Sequence, residues 1–171
     1  QSSLLLSLAA NGAPPFRIVI VGDAEHPEVN GLLGYADGRG TVVSRLEDVD
    51  RLPAMEKVCV VAQTTQSLDE YRAIVEKIRG RVPETVVFDT ICDSTEKRQA
   101  EIKELACAMD AVFIVGGRNS ANTHRLAQIS ESMGTPTFHI ETAEEIREVP
   151  LQTYNRLGIS AGASTPNWII E

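Results

Sequence analysis

The residues best suited to chemistry stand in five short polar segments, each of which follows an apolar run and precedes a helix-like pattern. The segments are residues 22–28, 63–65, 90–95, 116–123 and 162–166. They contain hydroxyl and amide side chains, together with His26, Glu28 and Cys92. Ligands of parallel α/β sheets bind outside the carboxyl ends of the strands, where loops and helix N-termini meet. The five segments therefore predict a shared binding site.

The segment His26-Pro27-Glu28 holds the most reactive pair of side chains. Pro27 favours an extended backbone at His26, and Glu28 can then share a direction with the imidazole. An imidazole beside a carboxylate can transfer protons or orient a diphosphate. The alternative is a solvated loop that contains a histidine by chance.

Two further segments, residues 63–65 and 119–123, each lie between a predicted strand and a predicted helix. Hydroxyl and amide side chains cap helices at such places, and the free N–H groups of a first helical turn attract anions. Capping alone would explain either segment taken singly. Gly116 and Gly117 favour a ligand loop before the second one, since glycines let a ligand approach the backbone closely. The glycine spacings of dinucleotide-binding and P-loop motifs do not occur.

The three cysteines stand in different contexts. Cys92 precedes a predicted helix, a position that suits a nucleophile or a metal ligand, and the alternative is a buried structural thiol. Cys59 lies in an apolar run and Cys107 on an apolar helix face, so both are predicted to be core residues. Three widely spaced cysteines indicate a reducing compartment rather than a disulfide framework.

The two remaining histidines lack polar neighbours of this kind. We predict His124 on a helix surface and His139 inside an apolar strand, and we assign neither to the site. The acidic segment 141–145 indicates a helix start, because carboxylates are favoured near the positive end of a helix dipole.

Composition limits the kinds of partner. A net charge of −8 and a pI near 4.9 argue against nucleic-acid binding, which needs a basic face. No apolar stretch approaches the roughly 20 residues that span a bilayer. The opening residues have no basic segment before their leucines, so we expect no signal peptide and a cytoplasmic protein. Leu4, Leu5 and Leu8 have the spacing of a helix face.

Strand-like and helix-like patterns alternate along the chain. Strands are predicted at residues 16–21, 41–43, 58–62, 85–88, 111–115, 137–140 and 157–161, and helices at 67–79, 94–109 and 121–133. This alternation predicts right-handed βαβ units and mainly parallel sheets. A strand, polar exit, helix and strand occur twice at similar spacing. We therefore predict two small three-layer α/β/α lobes, residues 1–90 and residues 91–171.

Five sequence strings together resemble the motifs of the LytB family, the 4-hydroxy-3-methylbut-2-enyl diphosphate reductases of the non-mevalonate isoprenoid pathway. The strings are GDAEHPEVNGLLGY, AQTT, TICDSTEKRQ, VGGRNSANTHRL and GASTP. They run from Gly22 to Pro166 in the family's order, and their combination is highly specific although each alone is weak. The resemblance implies that the two lobes correspond to two of the three α/β lobes of a trefoil-like reductase.

The resemblance also implies the chemistry of the site. Members of the family hold a 4Fe-4S cluster on three cysteines and remove the substrate hydroxyl reductively, with electrons from a ferredoxin- or flavodoxin-type donor. Carried over by motif, Cys92 would be a cluster ligand, Glu28 the proton donor and Thr64 the residue that helps to position it. The residues that would hold the diphosphate are His26, Ser120, Asn122 and Ser164. Ala121 stands where some members have a second serine, so one hydroxyl contact is absent.

One part of the family's pattern lies outside this sequence. The first lobe, with the other two cluster cysteines, precedes the GDAEHPEV motif, whereas residues 1–15 here contain no cysteine. One thiolate cannot hold a cluster that normally has three, so we expect the cluster to be incomplete or absent in this chain alone. The chain is interpreted as a fragment or truncated form of the reductase. The alternatives are a cluster-free diphosphate-binding module and one subunit of a split reductase, whose first lobe would come from another chain.

Overall fold

The structure, a computed structural model, describes residues 16–166. The chain divides into two compact units, the first ending at Cys92 and the second beginning at Asp93. The sequence places this boundary two residues earlier, after residue 90. The helix predicted around Leu4 and Leu8 lies outside the described residues.

The first unit is a four-stranded parallel sheet with helices between the strands. Its elements are β1 (Arg17–Val21), α1 (Pro27–Tyr35), β2 (Gly40–Val43), a 3-10 helix (Leu46–Arg51), β3 (Lys57–Ala62), α2 (Leu68–Arg79) and β4 (Glu84–Val87). The strand order is β2-β1-β3-β4. Val21 aligns with Val43 on one side and with Ala62 on the other, so three strands end at the same level.

Both faces of this first sheet are covered, which explains its continuous apolar strands. Val19 and Val21 pack in one core with the buried face of α2. Ile18 and Ile20 pack in a second core with the buried residues of α1. The first unit therefore has the predicted three layers.

The second unit is a three-stranded parallel sheet. Its elements are α3 (Asp93–Ala108), β5 (Ala111–Val115), α4 (Ala121–Ser132), β6 (Thr137–Ile140), two 3-10 helices (Ala143–Glu148 and Leu151–Thr153) and β7 (Leu157–Ala161). The order is β6-β5-β7, with β5 fully buried in the centre. Val115 aligns with both Ile140 and Ala161, so these strands also end at one level.

The two faces of the second sheet are covered differently. Val112 and Ile114 pack against both long helices, α3 and α4. Phe113 and Val115 pack against partly buried residues of the 3-10 helices and of the segment that joins them. The layer on this side is therefore made of short turns rather than of an α-helix.

The predicted fold class, two parallel-sheet α/β lobes with alternating helices and strands, is confirmed. Each predicted strand and each of the three bounded helices is present, with ends that differ by at most one residue. The structure adds the bounds of α1, and it shows that the acidic segment leads into the 3-10 helix Ala143–Glu148. Within residues 16–166 no helix combines the length and apolar character needed to cross a membrane.

Candidate functional site

Glu28 and Thr64 form a directly hydrogen-bonded pair at the carboxyl edge of the first sheet. Thr64 donates its hydroxyl to Glu28 Oε2 at 2.8 Å and its backbone N–H to Oε1 at 3.1 Å. Glu28 lies in the first turn of α1, and Thr64 follows the end of β3. The level ends of β1 and β3 bring the two loops together. Both oxygens of the half-buried carboxylate are thus held in place.

His26 is the N-cap residue of α1. Its backbone is extended, with φ −71° and ψ 135°, as Pro27 in the first helical turn predicts. Its Nδ1 accepts the N–H of Glu28 at 3.2 Å. In the neutral ring Nε2 then carries the proton, and Nε2 has no partner within residues 16–166. His26 therefore starts the helix and keeps one donor for a ligand.

Cys92 lies beside the same pair. The backbone N–H of Cys92 donates to Thr64 O at 3.2 Å, and the residue is exposed. Thr90 fixes this loop, because its hydroxyl donates to Ala62 O at 2.7 Å and accepts the Ala62 N–H at 2.8 Å. Thr64 therefore links the two residues: its hydroxyl and N–H bind Glu28, and its carbonyl oxygen binds Cys92.

Gln63 is a site residue whose individual role could not be predicted from the sequence. It is 3 % exposed, its Oε1 accepts Asp23 N–H at 2.9 Å, and its Nε2 donates to Thr65 Oγ1 at 2.9 Å. It thus joins the loop after β1 to the loop after β3. The only sequence signal is the placement of an amide directly after a fully apolar strand.

The other two cysteines differ in burial. Cys59 is in the core as predicted, and burial raises the pKa of its thiol to about 11. The prediction that Cys107 is a core residue is wrong, because it is exposed. On α3 the buried positions include Ile102 and Ala106, four residues apart, and Cys107 lies about 100° further around the helix.

The cysteines do not suffice for a cluster that needs three thiolates. Within the first unit, Cys92 is exposed beside the Glu28 and Thr64 loops and Cys59 is held neutral in the core, whereas Cys107 belongs to α3 of the second unit. Across residues 16–166, no three His, Cys, Asp or Glu side chains are grouped so that they could hold a metal ion. An iron–sulfur cluster therefore does not fit this part of the chain by itself.

In the second unit, the loop after β5 leads directly into the N-terminus of α4. Ser120 is the N-cap residue, and its Oγ accepts the N–H of Thr123 at 3.3 Å. Gly117 O accepts the Ser120 N–H at 3.0 Å, which closes the turn before the helix. Asn122 has a buried Nδ2 without a partner within the described residues. Such a donor is costly to leave unpaired, so it is a strong candidate for a ligand contact.

The loop after β7, which carries Ser164, packs against the loop after β5. Val115 O accepts hydrogen bonds from Gly162 N at 3.0 Å and from Thr165 Oγ1 at 3.0 Å. A Cβ atom at Gly162 would lie 2.1 Å from Thr123 Oγ1, and one at Gly116 would lie 2.5 Å from Thr165 Oγ1. Both positions therefore require glycine. The structure brings Ser164, which is exposed, to the same sheet edge as Ser120 and Asn122.

An ion-pair network that was not predicted from the sequence holds the tip of the loop after β5. Arg118 N–H donates to Glu141 Oε1 at 2.6 Å, and its guanidinium pairs with Glu145. The pKa of Glu145 is lowered, chiefly because its carboxylate accepts the backbone N–H of Glu141. The sequence marked these glutamates only as a helix start, since it does not show which loop they face.

Comparison with known proteins identifies relatives that belong to one family. The family model described as LytB protein matches residues 7–171. A protein of Geobacter sp. (strain M21) named 4-hydroxy-3-methylbut-2-enyl diphosphate reductase is 51% identical over 156 residues, which cover 91% of this chain and 55% of that relative. The reductase of the same name from Aquifex aeolicus is 47% identical over 159 residues, with the same coverage. The chain thus spans about half the length of the curated relatives it matches.

The solved structures that resemble this chain include two reductases. The E-1-hydroxy-2-methyl-but-2-enyl-4-diphosphate reductase from Plasmodium falciparum has a TM-score of 0.88 at 26% identity, covering 98% of this chain and 52% of that protein. A second reductase, described as the terminal enzyme of the non-mevalonate pathway, has a TM-score of 0.56 at 43% identity and covers 99% and 60%. Both comparisons again match about half of a longer protein.

Proposed function

The chain belongs to the LytB protein family, and we propose that it forms the substrate-binding part of a 4-hydroxy-3-methylbut-2-enyl diphosphate reductase. That reaction removes the hydroxyl of an allylic diphosphate reductively and gives isopentenyl and dimethylallyl diphosphates. The observation that carries the proposal is the position of Thr64, which hydrogen-bonds Glu28 on one side and Cys92 on the other. A proton donor and a metal ligand held by one residue suit the reductive loss of a hydroxyl.

Glu28 is the proposed proton donor to the leaving hydroxyl. Its Oε1 faces a backbone N–H, which can only donate, whereas Oε2 faces the Thr64 hydroxyl, which can donate or accept. A proton on the carboxyl group is therefore best placed on Oε2, with the Thr64 hydroxyl reversing its hydrogen bond. Thr64 supports Glu28 in both protonation states, as a group that releases and regains a proton requires.

The proposed diphosphate contacts are uncharged donors near helix N-termini. His26 Nε2 stands at the start of α1, and Ser120 and Asn122 stand at the start of α4. Ser164 is the contact from the loop after β7. Free N–H groups and the helix dipole favour an anion at such places without lysine or arginine. An overall charge of −8 is therefore compatible with a diphosphate ligand.

Cys92 is the proposed ligand that this chain contributes to a 4Fe-4S cluster. We propose that the other thiolates come from the part of the relatives' length that this chain does not span, in the same polypeptide or in a separate subunit. Electrons would then come from a ferredoxin- or flavodoxin-type donor. A reducing, cytoplasmic compartment suits such a cluster and the free thiols.

A second candidate function is a diphosphate-binding module without redox activity. The buried, unpaired Nδ2 of Asn122 favours it, because the donors around α4 need no cluster to bind an anion. Both functions include diphosphate binding, and only the first requires a metal cluster.

Spectroscopy and calorimetry distinguish the two functions. The 171-residue chain is purified anaerobically, its visible spectrum is recorded, and it is titrated with the allylic diphosphate. We expect a colourless protein that releases or absorbs heat on binding. A chimera that joins the upstream part of the Geobacter relative to Phe16 should be brown and active. A colourless chimera that still binds the diphosphate supports the module, and no heat from either protein at millimolar ligand contradicts both functions.

A further inference from the structure

His139 in β6 contacts the loop that precedes α4, although the sequence assigned it no role. Its Nε2 lies 2.8 Å from Gly116 O. A carbonyl oxygen only accepts, so Nε2 carries the proton. We propose that His139 is a positioning residue for diphosphate binding, which holds the peptide between Gly116 and Gly117 so that the Gly117 N–H donates to a phosphate oxygen. This inference rests on the proposed function and adds to it a donor and the residue that orients it.

The geometry of the peptide group gives the direction of the donor. In a trans peptide the C=O and the following N–H point in opposite directions, and the described residues contain no cis peptide. When His139 holds Gly116 O, the Gly117 N–H therefore points away from the imidazole. Gly117 is exposed, and no acceptor within residues 16–166 pairs with its N–H. This N–H is available to a ligand.

The neighbouring backbone explains why an orienting contact is needed. Two successive glycines give a chain segment many accessible conformations. Gly116 has φ +149°, a value that glycine favours, and threonine hydroxyls occupy the space where its Cβ would be. These contacts fix Gly116 on one side, and the His139 hydrogen bond fixes the rotation of the peptide that follows. Without that bond the Gly117 N–H would be free to turn.

A second ring contact holds His139 in this orientation. The rings of His124 and His139 meet edge to face, with centroids 5.2 Å apart and planes at 87°. His124 lies in the first turn of α4, one turn from Ser120, whose O accepts the His124 N–H at 3.0 Å. The imidazole of His139 is therefore packed between the loop it orients and the helix that carries the proposed diphosphate contacts.

The donors of this loop match a tetrahedral anion. Gly117 O accepts the Ser120 N–H at 3.0 Å, so the Gly117 N–H and the Ser120 hydroxyl belong to one tight turn. The unpaired Nδ2 of Asn122 is two residues further on. Successive backbone and side-chain donors in a turn at a helix N-terminus form the type of concavity that binds phosphate groups. The inferred ligand group is one phosphate of a diphosphate.

The test compares His139→Leu with His139→Gln in the 171-residue chain, titrated with inorganic pyrophosphate by calorimetry. Leucine keeps the bulk and loses the donor, whereas glutamine keeps an N–H donor. We expect the Kd of His139→Leu to rise about tenfold, equivalent to about 1.4 kcal/mol, and glutamine to restore most of the affinity. The Gly117 amide resonance should shift on pyrophosphate addition in the unmodified chain and much less in His139→Leu.

The outcomes separate this inference from the proposed function. If the unmodified chain binds pyrophosphate and His139→Leu binds equally well, the inference is wrong and the diphosphate site stands. The same titrations are made with the chimera, and if neither the unmodified chain nor the chimera binds pyrophosphate, both are contradicted. The inference can also be tested in the unmodified chain. If it is correct, long-range ¹⁵N spectra of the His139 imidazole will show the proton on Nε2. A proton found on Nδ1 alone would overturn the inference.

Discussion

The Thr64 hydroxyl donates a 2.8 Å hydrogen bond to Glu28 Oε2, and the Thr64 N–H holds the other carboxylate oxygen. The two residues are 36 positions apart in the sequence and meet because β1 and β3 end at the same level. Thr64 O in turn accepts the N–H of Cys92. Thr64 thus contacts the carboxylate of Glu28 and the backbone of Cys92, and this arrangement makes separable predictions for the two residues.

Replacing Glu28 by glutamine should remove the proton donor while keeping the shape of the side chain. We expect kcat of the chimera to fall by about 10²- to 10⁴-fold, the usual contribution of a general acid, with a small change in KM. Product formation is followed under anaerobic conditions with a chemical reductant. Glu25→Gln is the matched control, because Glu25 is exposed and outside the pair. Equal activity of the two variants would exclude Glu28 as the proton donor.

Replacing Thr90 by valine should release the loop that carries Cys92. The hydroxyl makes two hydrogen bonds to Ala62, and its loss leaves two backbone groups without their partner. We expect the free energy of unfolding to fall by about 1–3 kcal/mol and the Cys92 amide to exchange faster with solvent. Urea denaturation and hydrogen exchange measure the two effects. Thr90→Ser keeps the hydroxyl and should behave like the unmodified chain, and an unchanged Cys92 amide in Thr90→Val would refute this role.

Replacing Gly162 by alanine should disturb the contact between the loops after β5 and β7. The new Cβ would lie 2.1 Å from Thr123 Oγ1, so we expect a loss of about 1–3 kcal/mol in the free energy of unfolding. Adding Thr123→Ala removes the clashing atom, and the two effects should be less than additive. Gly31→Ala is the control, because no atom lies within 4 Å of its Cβ position and alanine favours the helix by about 0.5–1 kcal/mol. Additive effects in urea denaturation would contradict the proposed clash.

Thiol chemistry should rank the three cysteines by burial. The pKa of Cys59 is raised to about 11 by burial, and the thiolate is the reactive form. Cys92 and Cys107 should therefore react with a disulfide reagent in the folded protein, and Cys59 only after denaturation. Because the pKa is higher in the folded state, the neutral thiol stabilises the fold below the unfolded pKa. This contribution is lost as pH rises toward about 11. Fast reaction of all three thiols at neutral pH would show that Cys59 is not buried.

Acid should loosen the loop that Arg118 holds. The pKa of Glu145 is lowered by the backbone N–H of Glu141 and, more weakly, by Arg118. A lowered carboxyl pKa stabilises the folded state above the unfolded value, and the effect is lost as pH falls through the folded value. The Thr142 amide, which donates to Glu145 at 3.0 Å, should therefore have a lower protection factor against hydrogen exchange in acid, and it should exchange faster in Glu145→Gln at neutral pH. Equal exchange in the variant and the unmodified chain would rule out this contact in solution.

The sequence was sufficient to predict the strands, because their apolar runs are unambiguous. The run at 111–115 is apolar throughout and is the fully buried centre of its sheet. Helix α1 was harder to bound, since Gly31 and Gly34 are poor helix formers within its nine residues. Cys107 was misplaced because, in the last turn of α3, one step along the sequence turns a side chain from the core to solvent.

The site was predictable in its parts and not in its contacts. Motifs named Glu28, Thr64 and Cys92 separately, but only the aligned strand ends show that Thr64 bonds to both of the others. The contact of His139 with Gly116 joins residues 23 positions apart and depends on the direction of one side chain. Periodicity gives the face of a strand on which a residue lies, and it does not show which loop that residue reaches.

The most direct test of the central claim uses the chimera and its Cys92→Ser variant under anaerobic conditions, with cluster absorption and product formation measured on the same samples. If this chain supplies the substrate-binding part and one cluster ligand of the reductase, the chimera will be brown and will convert the allylic diphosphate to both products. Cys92→Ser will lose the cluster and the activity. A cluster that survives in Cys92→Ser, or a cluster-loaded chimera that forms no product, would contradict the claim.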